Sequence, residues 1–225
     1  MRFAIIGLGR FGTRLARNLA GAGQEVIAID CNQSIVDEIS DHVTMAVAMD
    51  ATDQDALREL DVNNVDVAVV VIGENFEAQV LTTVVLKQLG VARIVARVGS
   101  SISEKVLRSV GADEVVNPED ESADRWAGRL LSPQFIERLE LDEGFSIVEI
   151  KTPSAWVGKT LIDLKLREKT GVHVVAMKSA TGSISAFGRT AMHIRLPLPN
   201  KPLQDDDFLL LMGKDSDLAA LPCNK

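Results

Sequence analysis

Short runs of aliphatic residues alternate with helix-like segments through the first 117 residues. Six runs have the length and composition of strands: Phe3–Ile6, Val26–Ile29, Thr44–Ala48, Val67–Ile72, Ile94–Ala96 and Glu114–Val116. Five segments between them have helical spacing: Arg10–Ala22, Ser34–Ile39, Asp53–Leu60, Asn75–Leu89 and Ser103–Val110. This alternation predicts an α/β fold, a Rossmann-like doubly wound parallel sheet with strand order 3-2-1-4-5-6.

The stretch from Asp120 to Leu141 keeps large apolar residues at helical spacing, among them Trp126 and Leu130. Pro133 interrupts it, so the pattern predicts a kinked or broken crossover helix over about 120–138. Its apolar side chains need burial, either against a second domain or against another subunit.

Shorter strand signals follow this stretch. They lie at Phe145–Ile150, Val172–Met177 and Phe208–Met212, with a weaker one at Ser183–Phe187. One small helix is expected at Leu161–Leu166, and residues 214–225 resemble a polar tail. The chain is therefore divided into a first domain, 1–138, and a small α+β module, 139–225, which is too small to be a typical substrate domain of a dehydrogenase.

Composition narrows the class of protein. With 46% apolar and 25% charged residues, the chain can form a hydrophobic core, and its apolar runs are strand-sized rather than membrane-spanning. No signal-peptide pattern is present, which favours a cytoplasmic location. Cys31 and Cys223 have no CxxC spacing, so neither a disulfide framework nor a zinc site is indicated.

The negative charge is unevenly distributed. Residues 1–138 hold 21 acidic and 13 basic side chains, whereas residues 139–225 hold 11 of each. An acidic domain repels a phosphate backbone, which argues against nucleic acid as a partner. A small molecule or a protein is the expected partner.

The strongest chemical signal is FAIIGLGRFGT, residues 3–13, an apolar strand followed by Gly7, Gly9 and Gly12. Glycines allow a diphosphate to approach the free N–H groups and the positive dipole of a helix N-terminus. The pattern predicts a nucleotide site that includes the intervening residues Leu8 and Phe11.

Arg10 lies inside the same turn. Its guanidinium is suited to a charge beyond the pyrophosphate, such as the terminal phosphate of a nucleoside di- or triphosphate. The alternative is a solvated surface arginine, although its charge is mildly unfavourable at a helix N-terminus.

Asp30 ends the second strand, 23 residues after Gly7, and it is expected to border the nucleotide together with Cys31 and Asn32, which follow it. An acidic residue at this position accepts hydrogen bonds from ribose hydroxyls and repels a 2′-phosphate, which disfavours an NADP-like ligand. Alternatively, Asp30 only helps the chain to turn.

Two further segments follow strands at the same edge of the sheet. Asp50, Ala51 and Thr52 are expected to contact the adenine or ribose. Alternatively, Asp50 and Thr52 cap the next helix, where Thr52 and Asp55 resemble a capping box, and the two roles are compatible. The segment Ile72, Gly73, Glu74 and Asn75 is expected to form a wall of the same crevice, next to the topological switch point.

These motifs together resemble the KTN/RCK family, the KtrA/TrkA group of regulatory subunits of bacterial potassium transporters and channels. In chain order they are GLGRFG (Gly7–Gly12), Asp30, DAT (Asp50–Thr52), IGENFEA (Ile72–Ala78), LTT (Leu81–Thr83), ARV (Ala96–Val98) and GAD..VNPE (Gly111–Glu119). The segments Trp156–Lys178 and Asp205–Gly213 resemble the RCK-C module that follows the RCK-N domain.

The resemblance implies a cytoplasmic protein, peripheral at the inner face of the membrane. It implies homodimers assembled into a homo-octameric ring beneath a separate membrane potassium pore subunit (KtrB/TrkH-like). ATP or ADP, or NAD/NADH in some members, occupies the first domain, and exchange of the nucleotide changes the shape of the ring. Some members also bind a cyclic dinucleotide at the C-terminal module; the alternative for this chain is a module that only dimerises.

The resemblance also assigns roles to individual residues. Arg97 faces the phosphate side, and Glu119 helps to place a divalent cation (Mg²⁺ or Ca²⁺) between paired sites. Glu74 adds a negative charge where some members are uncharged, which leaves ATP/ADP and NAD(H) both open.

The alternative from another class is an NAD-dependent oxidoreductase. That reaction needs a proton-transfer residue beside the nicotinamide. The chain has no tyrosine, and its histidines, His42, His173 and His193, lie in no recognisable catalytic setting. A protein that is not an enzyme is therefore favoured.

Overall fold

A computed structural model describes residues 1–73, 75–184 and 190–222. Glu74 and Cys223 lie outside these residues, as does part of the weak strand signal at Ser183–Phe187. Two compact units are present, Met1–Glu121 and Ser122–Lys225.

The first unit contains a six-stranded parallel sheet. Its strands are β1 (Arg2–Ile6), β2 (Glu25–Asp30), β3 (Met45–Ala48), β4 (Val67–Val70), β5 (Ile94–Arg97) and β6 (Glu114–Val116). They are ordered β3-β2-β1-β4-β5-β6, which confirms the predicted doubly wound topology. In the centre, Ile5 of β1 is in register with Ala28 of β2 and Val69 of β4.

Helices connect these strands. They are α1 (Arg10–Gly21), α2 (Gln33–Ile39), α3 (Gln54–Glu59), α4 (Phe76–Gln88) and α5 (Ser101–Ser109), with single 3₁₀ turns at Ser40–His42 and Val62–Asn64. A further helix, α6 (Pro118–Leu131), follows β6, and its residues belong to both units. Successive residues of β1 belong to opposite cores: Ile5 packs in one cluster, and Ala4 and Ile6 pack in the other. Both faces of the sheet are covered, which explains why its central strands are continuous apolar runs.

The predicted helix beyond residue 131 is wrong. Helix α6 ends at Leu131, and strand β7 (Glu137–Asp142) occupies the rest of the stretch. Pro133 disfavours helical geometry at the residue before it, which accounts for the stop. On α6, Trp126, Leu130 and Leu131 are exposed within the chain.

The second unit is built on an antiparallel sheet, which confirms the predicted small α+β module. Its strands β7, β8 (Phe145–Lys151), β9 (His173–Ile184), β10 (Thr190–Arg195) and β11 (Phe208–Lys214) are ordered β10-β9-β11-β8-β7. Its helices are α7 (Leu161–Leu164), α8 (Leu166–Thr170) and α9 (Asp215–Ala219), with a 3₁₀ turn at Ser154–Trp156.

Two details of this unit differ from the expectation. The single helix at 161–166 is two short helices, because Lys165 adopts a left-handed conformation (φ 48°) that ends the first of them. The expected polar tail begins with strand residue Lys214 and helix α9, and Leu218 and Leu221 are buried in the core of the unit.

Asp207, immediately before β11, is a buried charge in this unit. Its side chain is 2% exposed and accepts hydrogen bonds from Ser179 Oγ (2.6 Å), Arg195 Nη2 (3.0 Å) and the backbone N–H of Gln204 (3.0 Å). Burial raises the pKa of Asp207, but the hydrogen bonds from Ser179, Gln204 and Arg195 outweigh it and hold the pKa below its ordinary value. The network therefore stabilises the ionised carboxylate.

Across the described ranges, none of the helices combines the length and the hydropathy that a membrane crossing requires.

Candidate functional site

A cleft of about 850 Å³ lies in the first unit, bordered by the residues that follow β1, β2, β3 and β4. The sheet changes winding direction between β1 and β4, and this switch point is where doubly wound folds bind ligands. The cleft is lined by these predicted site residues: Gly7, Gly9, Asp30, Cys31, Asp50, Ala51, Thr52, Ile72, Gly73, Asn75 and Arg97.

Two glycines of the turn are required by the fold. Gly7 has φ +97°, and a Cβ there would lie 2.8 Å from the carbonyl carbon of Val71. A Cβ on Gly12 would lie 1.9 Å from the carbonyl oxygen of Gly7, so only glycine allows α1 to start this close to β1. By contrast, a Cβ on Gly9 would meet nothing within 4 Å, because that position faces the open cleft.

The N-terminus of α1 is free of protein caps. Gly9 is its N-cap residue, no side chain caps it, and its first turn contains no acidic residue. Uncapped N–H groups at the positive end of a 12-residue helix form an anion site. This end of the helix is the part of the cleft best suited to phosphate.

The carboxylate of Asp30 connects two parts of the site. Oδ2 accepts the backbone N–H of Leu8 at 2.6 Å, and Oδ1 accepts that of Asn32 at 2.9 Å. A carboxylate oxygen accepts more than one hydrogen bond, so Asp30 retains acceptor capacity toward the cleft. Turning the chain and binding a ribose are therefore compatible roles for this residue.

Asp50 stabilises the loop between β3 and α3. Its Oδ1 accepts the backbone N–H (2.9 Å) and the hydroxyl (2.8 Å) of Thr52, and these bonds lower the pKa of Asp50. The predicted capping box of Thr52 and Asp55 is wrong. Asp53 is the N-cap of α3 and accepts the N–H groups of Asp55 and Ala56, whereas the Thr52 hydroxyl is donated to Asp50.

Arg97, at the end of β5, is paired with Glu119 in the first turn of α6. The distance from Arg97 Nη2 to Glu119 Oε1 is 2.6 Å. Gln79, which is buried, donates its side-chain amide to the carbonyl of Arg97 and fixes the end of the strand. The described residues contain no group of three or more His, Cys, Asp or Glu side chains placed to hold a metal ion.

Several predicted residues do not line the cleft. Leu8 is buried, Phe11 packs in the core, and Gly12 lies beneath the turn. Asn32 instead caps α2 by accepting the N–H of Ser34. Arg10 is exposed, and among the described residues its side chain has no hydrogen bond or ion pair.

Sequence reasoning missed some of the lining. Ile35, Met49, Glu77, Ala78 and Leu81 also border the cleft. Ile35 and Met49 provide apolar surface beside Asp30 and Asp50. Glu77 and Leu81 are one turn apart on α4, and that i, i+4 spacing after Asn75 was a signal that they share a face of the helix.

A second cavity, of about 350 Å³, lies in the second unit. Its lining consists of Leu161, Ile162, Lys165, Leu166, Arg167, Glu168, Val172, His173 and Val174. Apolar side chains converge there with two cations, Lys165 between α7 and α8 and Arg167 on α8. This cavity was not predicted from the sequence, because Lys165, Arg167 and His173 follow no binding motif.

The glycine-rich turn, the acidic residue after β2 and the cleft at the switch point place the first unit in the class of doubly wound nucleotide-binding domains. The family model of the TrkA-N domain matches residues 3–118, and that of the TrkA-C domain matches residues 145–221. The chain belongs to the TrkA-N/TrkA-C family, which confirms the KTN/RCK resemblance.

Relatives match along nearly their whole length. The chain is 38% identical to the Ktr system potassium uptake protein C of Bacillus subtilis over 96% of this chain and 94% of that protein. It is 32% identical to the Ktr system potassium uptake protein A of the same organism, over 96% and 93%.

The fold is also similar to solved structures. The GsuK RCK domain aligns with a TM-score of 0.61 and 20% identity, covering 97% of this chain and 46% of that one. The GsuK channel bound to NAD aligns with a TM-score of 0.60 and 20% identity, covering 98% and 38%. This chain spans less than half of either GsuK chain.

Proposed function

We propose that this protein is a cytosolic nucleotide-sensing subunit of a potassium uptake system. It binds ATP or ADP in the cleft of the first unit and regulates a membrane potassium pore subunit by a conformational change. The observation that carries the proposal is the match to Ktr potassium uptake proteins over nearly the whole of both chains, which includes the residues that form the cleft.

The cleft offers each part of a nucleotide a suitable surface. The uncapped start of α1 and Gly9 receive the phosphates, Asp30 receives the ribose, and Ile35 and Met49 provide an apolar wall for adenine. NAD or NADH is the alternative ligand, since the same parts serve any adenine nucleotide.

The proposed assembly is a homodimer within a homo-octameric ring, with the RCK-N domain at 1–138 and the RCK-C domain at 139–225. The exposed apolar side chains Trp126, Leu130 and Leu131 on α6 favour a covering subunit. Glu119 alone is too few ligands for a divalent cation, so a cation at this residue needs ligands from a second subunit.

The proposed role is regulatory rather than enzymatic. Hydride transfer needs an acid or base at the reacting carbon. None of the described histidines lines the cleft, and the relatives are potassium uptake proteins. A cytoplasmic location at the inner face of the membrane follows from a role on a membrane pore.

The function is tested by mass photometry and by uptake. The purified chain is examined alone and with ATP, ADP or NADH, and a potassium-uptake-deficient strain is supplied with the chain together with its pore subunit. We expect an octamer that responds differently to ATP and ADP, and nucleotide-dependent growth at low potassium. A monomer that binds none of the three nucleotides contradicts the proposal.

Arg10 is the proposed reader of the terminal phosphate. Because it does not line the cleft of its own chain and has no partner among the described residues, we infer that it reaches the ligand of a facing subunit. We expect Arg10→Ala to change ADP affinity less than about threefold but to abolish discrimination between ATP and ADP, since only differential contacts shift a conformational equilibrium. Arg17→Ala, on the same helix, is the control, and titrations measure both. Undiminished discrimination in the Arg10 variant rules out this role.

The cavity of the second unit supports a cyclic dinucleotide as a second ligand. Its apolar lining suits bases, and Arg167 and Lys165 suit phosphates. We expect Arg167→Ala to weaken binding of cyclic di-AMP or cyclic di-GMP about tenfold or more. Lys169→Ala, in the same helix but outside the lining, serves as the control in calorimetry. If the unmodified chain binds neither compound, the proposed ligand site is overturned, and the alternative of a module that only dimerises is favoured.

A further inference from the structure

The cleft of a single chain is poor in positive charge. Its described lining residues include three carboxylates, those of Asp30, Asp50 and Glu77. Arg97 is the one Lys or Arg among the described lining residues. Within one chain, a phosphate in the cleft has only the N–H groups of the glycine-rich turn and Arg97, among the described lining, to compensate its charge.

Arg97 is already engaged. Its side chain is 29% exposed, and its Nη2 atom donates to Glu119 Oε1 at 2.6 Å. Its Nη1 atom lies at the backbone of Gly73, 3.3 Å from the place of an added Cβ. A guanidinium binds phosphate best through two parallel N–H groups, and Glu119 occupies one of the two terminal nitrogens.

Glu119 is the more exposed partner of the pair. It is 62% exposed, and no second ion pair holds it among the described residues. Glu119 also stands in the first turn of α6, where its charge interacts favourably with the helix N-terminus. Because it is exposed, the Glu119 carboxylate stays hydrated when its ion pair with Arg97 breaks.

We propose that Glu119 is a specificity-determining residue that competes with the ligand for Arg97. A nucleotide whose phosphate reaches Arg97 binds at the expense of the Arg97–Glu119 ion pair, and a ligand without such a phosphate leaves the pair intact. When no divalent cation is bound, Glu119 thereby lowers the affinity for polyphosphates. The inference rests on the proposed nucleotide function and adds to it a residue that sets the strength of binding.

The test is a double-mutant cycle on the full chain, with mant-ADP as the probe and EDTA present so that no divalent cation contributes. We expect Glu119→Gln to tighten binding about three- to fivefold, as suits a partly exposed ion pair. Arg97→Gln should weaken binding about tenfold or more. In the Arg97→Gln background, Glu119→Gln should have no effect, because the residue for which Glu119 competes is gone.

Glu121→Gln is the matched control. Glu121 lies in the same first turn of α6 and forms no ion pair among the described residues. The substitution therefore removes the same charge as Glu119→Gln without breaking an ion pair. We expect this variant to bind mant-ADP with unchanged affinity. Adenosine, which has no phosphate, should bind equally to the unmodified chain and to Glu119→Gln, and thermal melts verify that every variant is folded.

The outcomes separate the two proposals. If the unmodified chain binds mant-ADP but Glu119→Gln binds equally or more weakly, only the competition is overturned. The same holds if the gain persists without Arg97 or appears equally in Glu121→Gln. If the unmodified chain binds no nucleotide at all, both the competition and the proposed function are overturned.

Discussion

Replacing Gly12 by alanine is expected to destabilise the first unit by about 3 kcal/mol or more, at the upper end of what forced overpacking costs. The added Cβ would lie 1.9 Å from the carbonyl oxygen of Gly7, which is backbone and has no alternative rotamer. Helix α1 must therefore move away from β1, and the glycine-rich turn loses its shape. Thermal unfolding measures the lower midpoint, and titration with ADP is expected to show loss of binding.

Gly9→Ala provides the matched comparison. The substitution is chemically identical, but the added Cβ would meet no atom within 4 Å, at a residue that lines the cleft. We expect a change in stability within about 0.5 kcal/mol, together with weaker ADP binding. If Gly12→Ala melts like the unmodified chain, the close approach of α1 to the turn is not required.

Asp207→Asn is expected to destabilise the second unit by about 2–4 kcal/mol, because it leaves the charge of Arg195 without its partner in a mostly buried position. An amide oxygen is also a weaker acceptor for Ser179 and for the N–H of Gln204. Denaturant unfolding at neutral pH measures the loss. Asp206→Asn is the control, since that neighbouring carboxylate is exposed.

The pH dependence of this effect has a definite sign. The pKa of Asp207 is lower in the folded chain than in the unfolded one, so its contribution is fully present above the unfolded value of about 3.9. That contribution is lost as the pH falls through the folded pKa. The stability difference between the unmodified chain and Asp207→Asn should be constant from about pH 5 to 8 and should shrink below about pH 4. A difference that grows toward acid pH contradicts an ionised Asp207.

The parallel sheet could be predicted in full because each central strand is buried on both faces and appears as an unbroken apolar run. Strands β7 and β10 could not be predicted, because both are edge strands of the second sheet and their apolar pattern is interrupted, by charged residues in β7 and by the polar Thr190 and His193 in β10. The short helices α7 and α8 were predicted as one helix, because nothing in the sequence indicates that the backbone of Lys165 is in the left-handed conformation.

The candidate site could be predicted wherever a residue ends a strand or lies within three residues after it, as Asp30, Asp50 and Gly73 do. The parallel topology alone brings such residues to one edge of the sheet. Met49 and Leu81 were missed because their place in the lining depends on how neighbouring elements pack. The Arg97–Glu119 ion pair joins residues 22 positions apart, and no sequence periodicity signals it.

The hydrogen bond from the backbone N–H of Leu8 to Asp30 holds the glycine-rich turn in one conformation before a ligand binds. Residues Gly7–Gly9 are anchored to the end of β2 by a 2.6 Å bond formed within the protein itself. The conformational entropy of this loop is therefore lost during folding rather than on binding. The proposed phosphate-binding part of the cleft is therefore preorganised, and a ligand that binds there does not have to order the turn.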